Sequence, residues 1–442
     1  MKVYSYGQIW TIAYPVLVSV LMEQLVGMTD TAFLGRVGEI ELGASALGNI
    51  FYIAVFVLGL GLGTGAQILM GRRNGEGNYP EVGNVFYHSL FLLLFVATFL
   101  FALIQGMAPW LLEKMISSRE VYLAALDYVQ WRVYGFFFAY VAIMFRAFYV
   151  ATTQTKTLTI NSVLMVASNI VFNYILIFGK FGFPAFGIAG AAMGSVLAEC
   201  VSMVFFVIYT RRRIDYRKYG LHLRPHFRPH FLRRILGVSV WTMLQNFLSL
   251  GTWFFFFLAV EHLGERELAV SNIIRNISSF FYMTVSALAS TASTLVSNLM
   301  GQKEMDSVLP MVFRTVRLGF YILLPLSVLV LLFPEAVLSI YTDDAALIAA
   351  SVVPMFVLMS SYLFTVPQRI MLSAAMGTGS TRRALWIEFV SVVCYIIFIV
   401  AVVVHYRAPL AVCWFSEHVY ALTSLGAVWL YLRSNQWRKK VL

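Results

Sequence analysis

The chain has 442 residues, of which 60% are hydrophobic and 12% charged, and its mean hydropathy is +0.79. That composition excludes an ordinary water-soluble globular domain and leaves the lipid bilayer as the solvent. The net charge of +11 does not indicate nucleic acid, because the basic residues are distributed by membrane topology.

A membrane-spanning helix needs about 20 mostly apolar residues. In chain order such runs occur near 9–34, 43–70, 87–110, 121–151, 158–179 and 187–210. A second set follows near 235–262, 268–300, 312–334, 347–376, 383–405 and 409–432. Their length predicts helices, since the strands of a membrane barrel would alternate in segments of about ten residues. The first run is a membrane helix rather than a signal peptide: it is too long, carries Glu23 and Asp30, and lacks a small-residue cleavage site behind it. Cys200, Cys394 and Cys413 all lie in spans at no metal-like spacing, and read as small packing residues.

Lys and Arg mark the sides of the membrane. The N-terminus, the loops at 71–86, 152–157, 211–234, 301–317 and 382–383, and the C-terminal tail hold 22 of them, whereas the alternate loops hold six. The positive-inside rule places both termini and the 211–234 loop in the cytoplasm, as an even number of spans requires. The expected location is the plasma (inner) membrane.

The chain also repeats itself. Val37-Gly38-Glu39-Ile40-Glu41-Leu42 recurs as Leu263-Gly264-Glu265-Arg266-Glu267-Leu268, at an offset of 226 residues. Met70-Gly71 with Pro80 recurs as Met300-Gly301 with Pro310, and Thr155-Lys156 as Thr381-Arg382. Each anchor follows the same helix number in its half, so the halves are duplicates. Each half holds an even number of helices, so both enter from the cytoplasm. The expected fold is therefore all-α and integral to the membrane, with twelve transmembrane helices in two six-helix lobes related by a pseudo-two-fold axis along the membrane normal. The expected domains are an N-lobe at 1–210, a basic cytoplasmic linker at 211–234 and a C-lobe at 235–442, with a substrate cleft between the lobes.

Ionisable and strongly polar groups in spans are costly, and so mark either structural pairs or function. Glu23 and Asp30 are two helical turns apart and share a face, at about 10 Å. Asn169 and Asn173 share a face of the fifth helix, and Ser195 and Glu199 a face of the sixth. Asp30 with the amide and hydroxyl oxygens offers hard ligands that suit a proton or Na⁺. Asn pairs also hold helices together in lipid. Arg132, Arg146, Arg275 and Arg369, with Asp127, Glu388 and Glu417, read as mutual partners. Met22, Met28, Tyr140 and Met144, together with Gln245, are candidates to line a cavity for lipophilic cations.

Three patterns read as non-catalytic. Gly61-x-Gly63-x-x-Ala66 lies within a membrane helix, without a preceding strand, and reads as helix packing rather than a dinucleotide fingerprint. His222, His226 and His230 are spaced as if on one helical face, but Pro225 and Pro229 interrupt it, leaving a solvated linker. The linker arginines suit anionic lipid headgroups. The run Phe254 to Phe257 reads as facing lipid.

These residues together resemble the multidrug and toxic compound extrusion family, the MATE exporters, across essentially the whole chain. The resemblance is carried by Pro15 through Thr29-Asp30-Thr31-Ala32-Phe33-Leu34-Gly35-Arg36-Val37-Gly38 and by Gly59 to Gly65 leading to Met70-Gly71. It is also carried by Asn169 to Gly179 with Gly187-Ile188-Ala189-Gly190-Ala191-Ala192, and by Gly377-Thr378-Gly379-Ser380-Thr381-Arg382. It implies a secondary-active exporter that antiports organic, often cationic, compounds against H⁺ or Na⁺ by alternating access. The implied cation-site residues are Asp30, Asn169, Asn173 and Ser195, with Na⁺, if used, at Asp30, Asn169 and Asn173. Two departures follow. The position of a second helix-five carboxylate is the neutral Asn173, and the second lobe shows Gln245, Asn246 and Thr365 where some members have acids on helices seven and ten. Coupling is thus expected in the N-lobe, with Glu23 as the candidate second acid. The expected partners are small organic substrates and membrane lipid, with no nucleic acid, no cofactor beyond the coupling ion, and a monomeric state. The alternatives are a lipid or polysaccharide-precursor flippase of the same superfamily and, more remotely, a membrane-embedded enzyme, for which no HExxH, nucleophile elbow or P-loop is present.

Overall fold

The computed structural model describes residues 4–221 and 228–440, and among them the regular structure is helical throughout. The first half runs α1 (Tyr6–Leu34), α2 (Glu39–Gly75), α3 (Tyr79–Met115), α4 (Arg119–Arg132), α5 (Gly135–Ala151), α6 (Lys156–Phe178) and α7 (Gly187–Arg213). The second runs α8 (Pro229–Glu261), α9 (Glu265–Gly301), α10 (Val308–Leu332), α11 (Pro334–Leu338), α12 (Ala345–Gly377), α13 (Thr381–Ile399), α14 (Leu410–Cys413) and α15 (Ser416–Arg433). A π-helical turn, Val400–His405, prolongs α13. By chain contacts the molecule divides into a unit of Val18–Met243 and a unit made of the described residues up to Leu17 and from Leu244 onward.

The repeated motifs fold alike. Gly38 and Gly264 each precede a helix of 37 residues, α2 and α9. In both, the carboxylate three positions on lies over the glycine: a Cβ at Gly38 would come within 2.3 Å of Glu41 Oε2, and one at Gly264 within 2.6 Å of Glu267 Oε2. At 1.5 Å per residue such a helix is about 55 Å long, against a hydrocarbon core of about 30 Å, so its ends project into water. Glu39 and Glu41 at one end of α2 and Arg73 at the other fit that placement, whereas Arg72 is buried.

Among the described residues, ten helices are long and apolar enough to span a membrane, and α4 with α5 makes an eleventh, bent by 47°. The run 121–151 is thus broken where a single straight helix was expected. At the break, Tyr134 N bonds Trp131 O and Phe136 N bonds Val133 O, tightening the turn to i→i−3. The expected last span, 409–432, is formed by α14 and by the 18-residue α15, whose first turn carries Glu417 and His418. Those polar groups dilute its apolar signal.

Glycines in α2 act as the packing reading requires. A Cβ at Gly61 would lie 2.5 Å from Met243 Cα, and one at Gly63 2.5 Å from Ile143 Cγ2, so two neighbouring helices approach the α2 backbone. The linker is less solvated than expected. Tyr219 is buried and accepts from Gln154 Nε2 at 3.0 Å, the Tyr87 hydroxyl donates to Leu221 O, and α8 already begins at Pro229. Of the three spaced histidines, His222 and His226 lie outside the described residues, and His230 is exposed in the first turn of α8. The Phe254 to Phe257 run circles α8: Phe254 is 67% exposed, whereas Phe256 is buried 4.6 Å from Trp414 between ring centroids.

Helix α12 begins on an N-cap, Asp344. Asp344 Oδ1 accepts from Ala346 N at 2.8 Å and Leu347 N at 3.3 Å. Asp344→Ala should therefore lower stability by about 1 kcal/mol, read as a small drop in Tm in detergent, and Asp344→Ser should restore most of it.

Candidate functional site

The first unit places Asp30 against the α6–α7 pair. These two helices meet closely because small residues of α7 face α6: a Cβ at Gly190 would lie 2.5 Å from Leu176 O, and one at Gly194 2.2 Å from Asn173 Oδ1. The polar face of α6 therefore meets Ser195, one residue beyond Gly194.

Four side chains then close a ring. Asn173 Nδ2 donates to Asp30 Oδ1 at 2.6 Å and to Asn169 Oδ1 at 3.1 Å. Asn169 Nδ2 donates to Ser195 Oγ at 3.2 Å, and Ser195 Oγ donates to Asp30 Oδ2 at 3.0 Å. Asn169, Asn173 and Ser195 are buried, and Asp30 is half-buried at the edge of a cavity. Asn173 Oδ1 makes no hydrogen bond within the described residues. The structure thus brings together Asp30, Asn169, Asn173 and Ser195 from α1, α6 and α7.

The cavity beside Asp30 has a volume of about 800 Å³, within the usual range for organic ligands, 300 to 1,000 Å³ by rough survey. Its wall carries the acids Glu23, Asp30, Glu39 and Glu199 and the bases Arg132 and Arg146, with Phe56, Met165 and Phe206 among its apolar groups. Glu23 is not part of the ring: its Oε1 accepts from Arg146 Nη1 at 2.5 Å. Arg132 binds Glu199 through two hydrogen bonds, 3.0 and 2.7 Å, and lies 3.7 Å over the Tyr52 ring.

None of the five sequence-selected cavity residues is on this wall. Tyr140 and Met144 are fully buried in α5; the Tyr140 ring packs on Gly59 and its hydroxyl donates to Val55 O at 3.0 Å. Met28 is exposed, Met22 is half-buried, and Gln245 belongs to the other unit.

That second unit holds a smaller polar pocket of about 50 Å³, lined by Gln368, Arg369, Tyr282, Tyr395, Glu417 and Tyr420 among others. It has room for a water or a small ion and not for an organic substrate. Arg369 donates to the Tyr282 hydroxyl at 2.5 Å rather than to a carboxylate, and Arg275 lies 4.7 Å over Phe257. Glu388 is fully buried and accepts from Ser249 Oγ at 2.8 Å and the Tyr420 hydroxyl at 2.5 Å. Asp127 is exposed. The ion pairing expected of these arginines with Asp127, Glu388 and Glu417 is therefore not seen among the described residues: Arg132 and Arg146 pair instead with Glu199 and Glu23 of their own unit.

Comparison with known proteins follows the same two-part organisation. The family model described as MatE matches residues 15–175 and again 242–401. A Thermotoga maritima protein named probable multidrug resistance protein NorM is 27% identical over 389 residues, spanning 86% of this chain and 82% of its own. The multidrug resistance protein MdtK of Pectobacterium atrosepticum is 24% identical over 396 residues, spanning 86% and 83%. Among solved structures, an outward-facing multidrug resistance MATE family transporter of the MOP superfamily superposes with a TM-score of 0.88 at 19% identity, over all of both chains. A MOP superfamily transporter from Pyrococcus furiosus, described as having a binding pocket of reversed polarity, gives 0.87 at 19%, also over all of both chains. The solved structures establish the two-lobed, multi-pass helical fold, and the repeated match to both halves establishes the lineage: the chain belongs to the MatE family of membrane transporters.

Proposed function

We propose that this transporter exports lipophilic organic cations in exchange for H⁺ or Na⁺, with Asp30 as the coupling acid and Asn169, Asn173 and Ser195 as its ligand set. The observation that carries the reading is the hydrogen-bonded ring closed around Asp30 on the edge of a cavity of about 800 Å³. A carboxylate in a protein interior needs a compensating charge. A proton, a Na⁺ or a cationic substrate can each supply it, and competition between them is what antiport requires. The cavity wall carries four acids against two arginines, which favours cations. Glu23, neutralised by Arg146, stands outside the ligand set. The multidrug resistance names of the relatives support an organic substrate. The distribution of Lys and Arg supports cytoplasmic termini in the plasma (inner) membrane.

The test is efflux of ethidium from sealed liposomes containing the purified protein, with a proton gradient or a Na⁺ gradient imposed separately. Acceleration by one of the two gradients is the expected result and identifies the coupling ion. If neither gradient changes the rate, the antiport reading fails.

A further inference from the structure

Arg132 shares the cavity with Asp30 and Glu199, and among the described residues its ion-pair partner is Glu199. Two guanidinium N–H groups meet the two oxygens of Glu199, at 3.0 and 2.7 Å. The Tyr52 hydroxyl donates to Glu199 Oε1 at 3.0 Å, the Tyr52 ring lies beneath Arg132, and Phe136 stacks on Tyr52 with ring centroids 4.9 Å apart. Gly135 closes the remaining space: a Cβ there would come within 2.3 Å of Glu199 Oε2 and 2.5 Å of Arg132 Nη1. Asp30, by contrast, is held by neutral donors, Asn173 and Ser195.

The two arrangements are mechanically adjacent. Ser195 and Glu199 are one turn apart on the same face of α7, about 6 Å between their Cβ atoms. The charge of Arg132 reaches Asp30, and the buried Tyr128 lies within electrostatic range of Arg132, Asp30 and Glu199 together. The charged and titratable groups facing Asp30 are thus Tyr128 and Arg132 of α4 and Glu199 of α7. Tyr52 and Glu39 of α2 and the Glu23–Arg146 pair share the same cavity.

An ionised Asp30 has two sources of counter-charge, the fixed Arg132 and a cation arriving from solution. Were Arg132 available, it would satisfy the acid permanently and weaken its hold on any transported ion. We propose that Glu199 is a positioning residue that sequesters Arg132, so that Asp30 takes its counter-charge from the coupling cation. This rests on the reading of Asp30 as the coupling acid. It gives the ion pair a role beyond joining α4 to α7.

The experiment measures the cation requirement of ethidium efflux in the same liposomes, as the external pH and, separately, the Na⁺ concentration that give half-maximal rate. In Glu199→Gln the freed Arg132 turns to Asp30, and the cation concentration needed rises by about tenfold or more, the equivalent of one pH unit. In the double variant Glu199→Gln with Arg132→Gln both charges are gone, and the requirement returns to within about threefold of the original, whatever the maximal rate. An unchanged requirement in Glu199→Gln overturns the proposal, and so does a double variant as displaced as the single one, which is the outcome for a purely structural pair. If the single variant does not fold, the double variant decides alone, and a displaced requirement in it overturns the proposal. Asp30→Asn separates the two readings: ion-driven efflux persisting there defeats the assignment of Asp30, whereas its loss alongside an unmoved Glu199→Gln defeats only the role of Glu199.

Discussion

Replacing Asp30 by asparagine is expected to reduce gradient-driven efflux at least about a hundredfold, equivalent to losing two pK units of ion affinity, while the protein remains folded. The side chain keeps its shape and one acceptor oxygen, so the contact with Asn173 Nδ2 survives. The other position becomes an amide that faces the Ser195 hydroxyl, which can turn to accept instead of donate. What disappears is the charge, and with it the reason for a cation to enter the ring. Liposome efflux under each gradient, compared with a monodisperse elution profile for the variant, checks both halves of the expectation. Efflux within a few-fold of the unsubstituted protein would remove Asp30 from the mechanism.

The second large effect is structural. At Gly190 a Cβ would lie 2.5 Å from Leu176 O, 2.6 Å from Leu176 C and 2.9 Å from Ile177 N, all main-chain atoms that no rotamer change can move. Gly190→Leu must therefore push α7 away from α6. Overpacking of this kind costs about 3 kcal/mol or somewhat more. Because Asn169 and Asn173 ride on one helix and Ser195 on the other, the same displacement opens the ring around Asp30. The expected outcome is a fall in Tm together with loss of ion-driven efflux, whereas Gly106→Leu, where a Cβ meets nothing within 4 Å, should leave both near their starting values. An unchanged Tm in Gly190→Leu would show that the two helices are not in backbone contact.

The site was legible where a single helix carries the pattern. Asn169 with Asn173, and Ser195 with Glu199, are i,i+4 pairs, and that spacing alone fixes a shared face. Asp30 stood out because an acid in an apolar run is expensive. What could not be read was the partner across space. Glu199 and Glu23 are acids within apolar spans, and nothing local to them says that Arg132 and Arg146 take them. Tyr52 gives no signal in sequence at all, being one aromatic in a long apolar helix, yet it holds the Arg132–Glu199 pair from two sides. The cavity residues failed to appear for a related reason. Aromatics and methionines fill cores as readily as they line ligand sites, and the burial of Tyr140 depends on Gly59 in a helix far away in sequence. In the second half, the neutral Gln245, Asn246 and Thr365 where some members have acids suggested little acidic machinery. Glu388 and Glu417 nevertheless lie in or beside a polar pocket, drawn there by α13 and α15. Architecture was easier than chemistry, because hydropathy, charge asymmetry and a duplicated motif are all properties of the chain alone. The break between α4 and α5 was the exception, since the turn there is tightened by groups packed around Gly135.

The ring at Asp30 also has a direction. Its donors are already aimed: both oxygens of the acid receive, the Asn173 amide gives twice, the Asn169 amide gives one of its two hydrogens to Ser195, and the Ser195 hydroxyl passes its single hydrogen to Asp30. A proton added to the acid would make it a giver as well, facing neighbours that are themselves giving. One of them must turn round: the Ser195 hydroxyl can do so alone, accepting from Asp30 and Asn169 together, whereas a turn of the Asn173 amide carries Asn169 with it. The carboxyl's occupancy is thereby written into the orientation of side chains on a neighbouring helix, so that α6 or α7 can register whether the acid is filled without either backbone having moved.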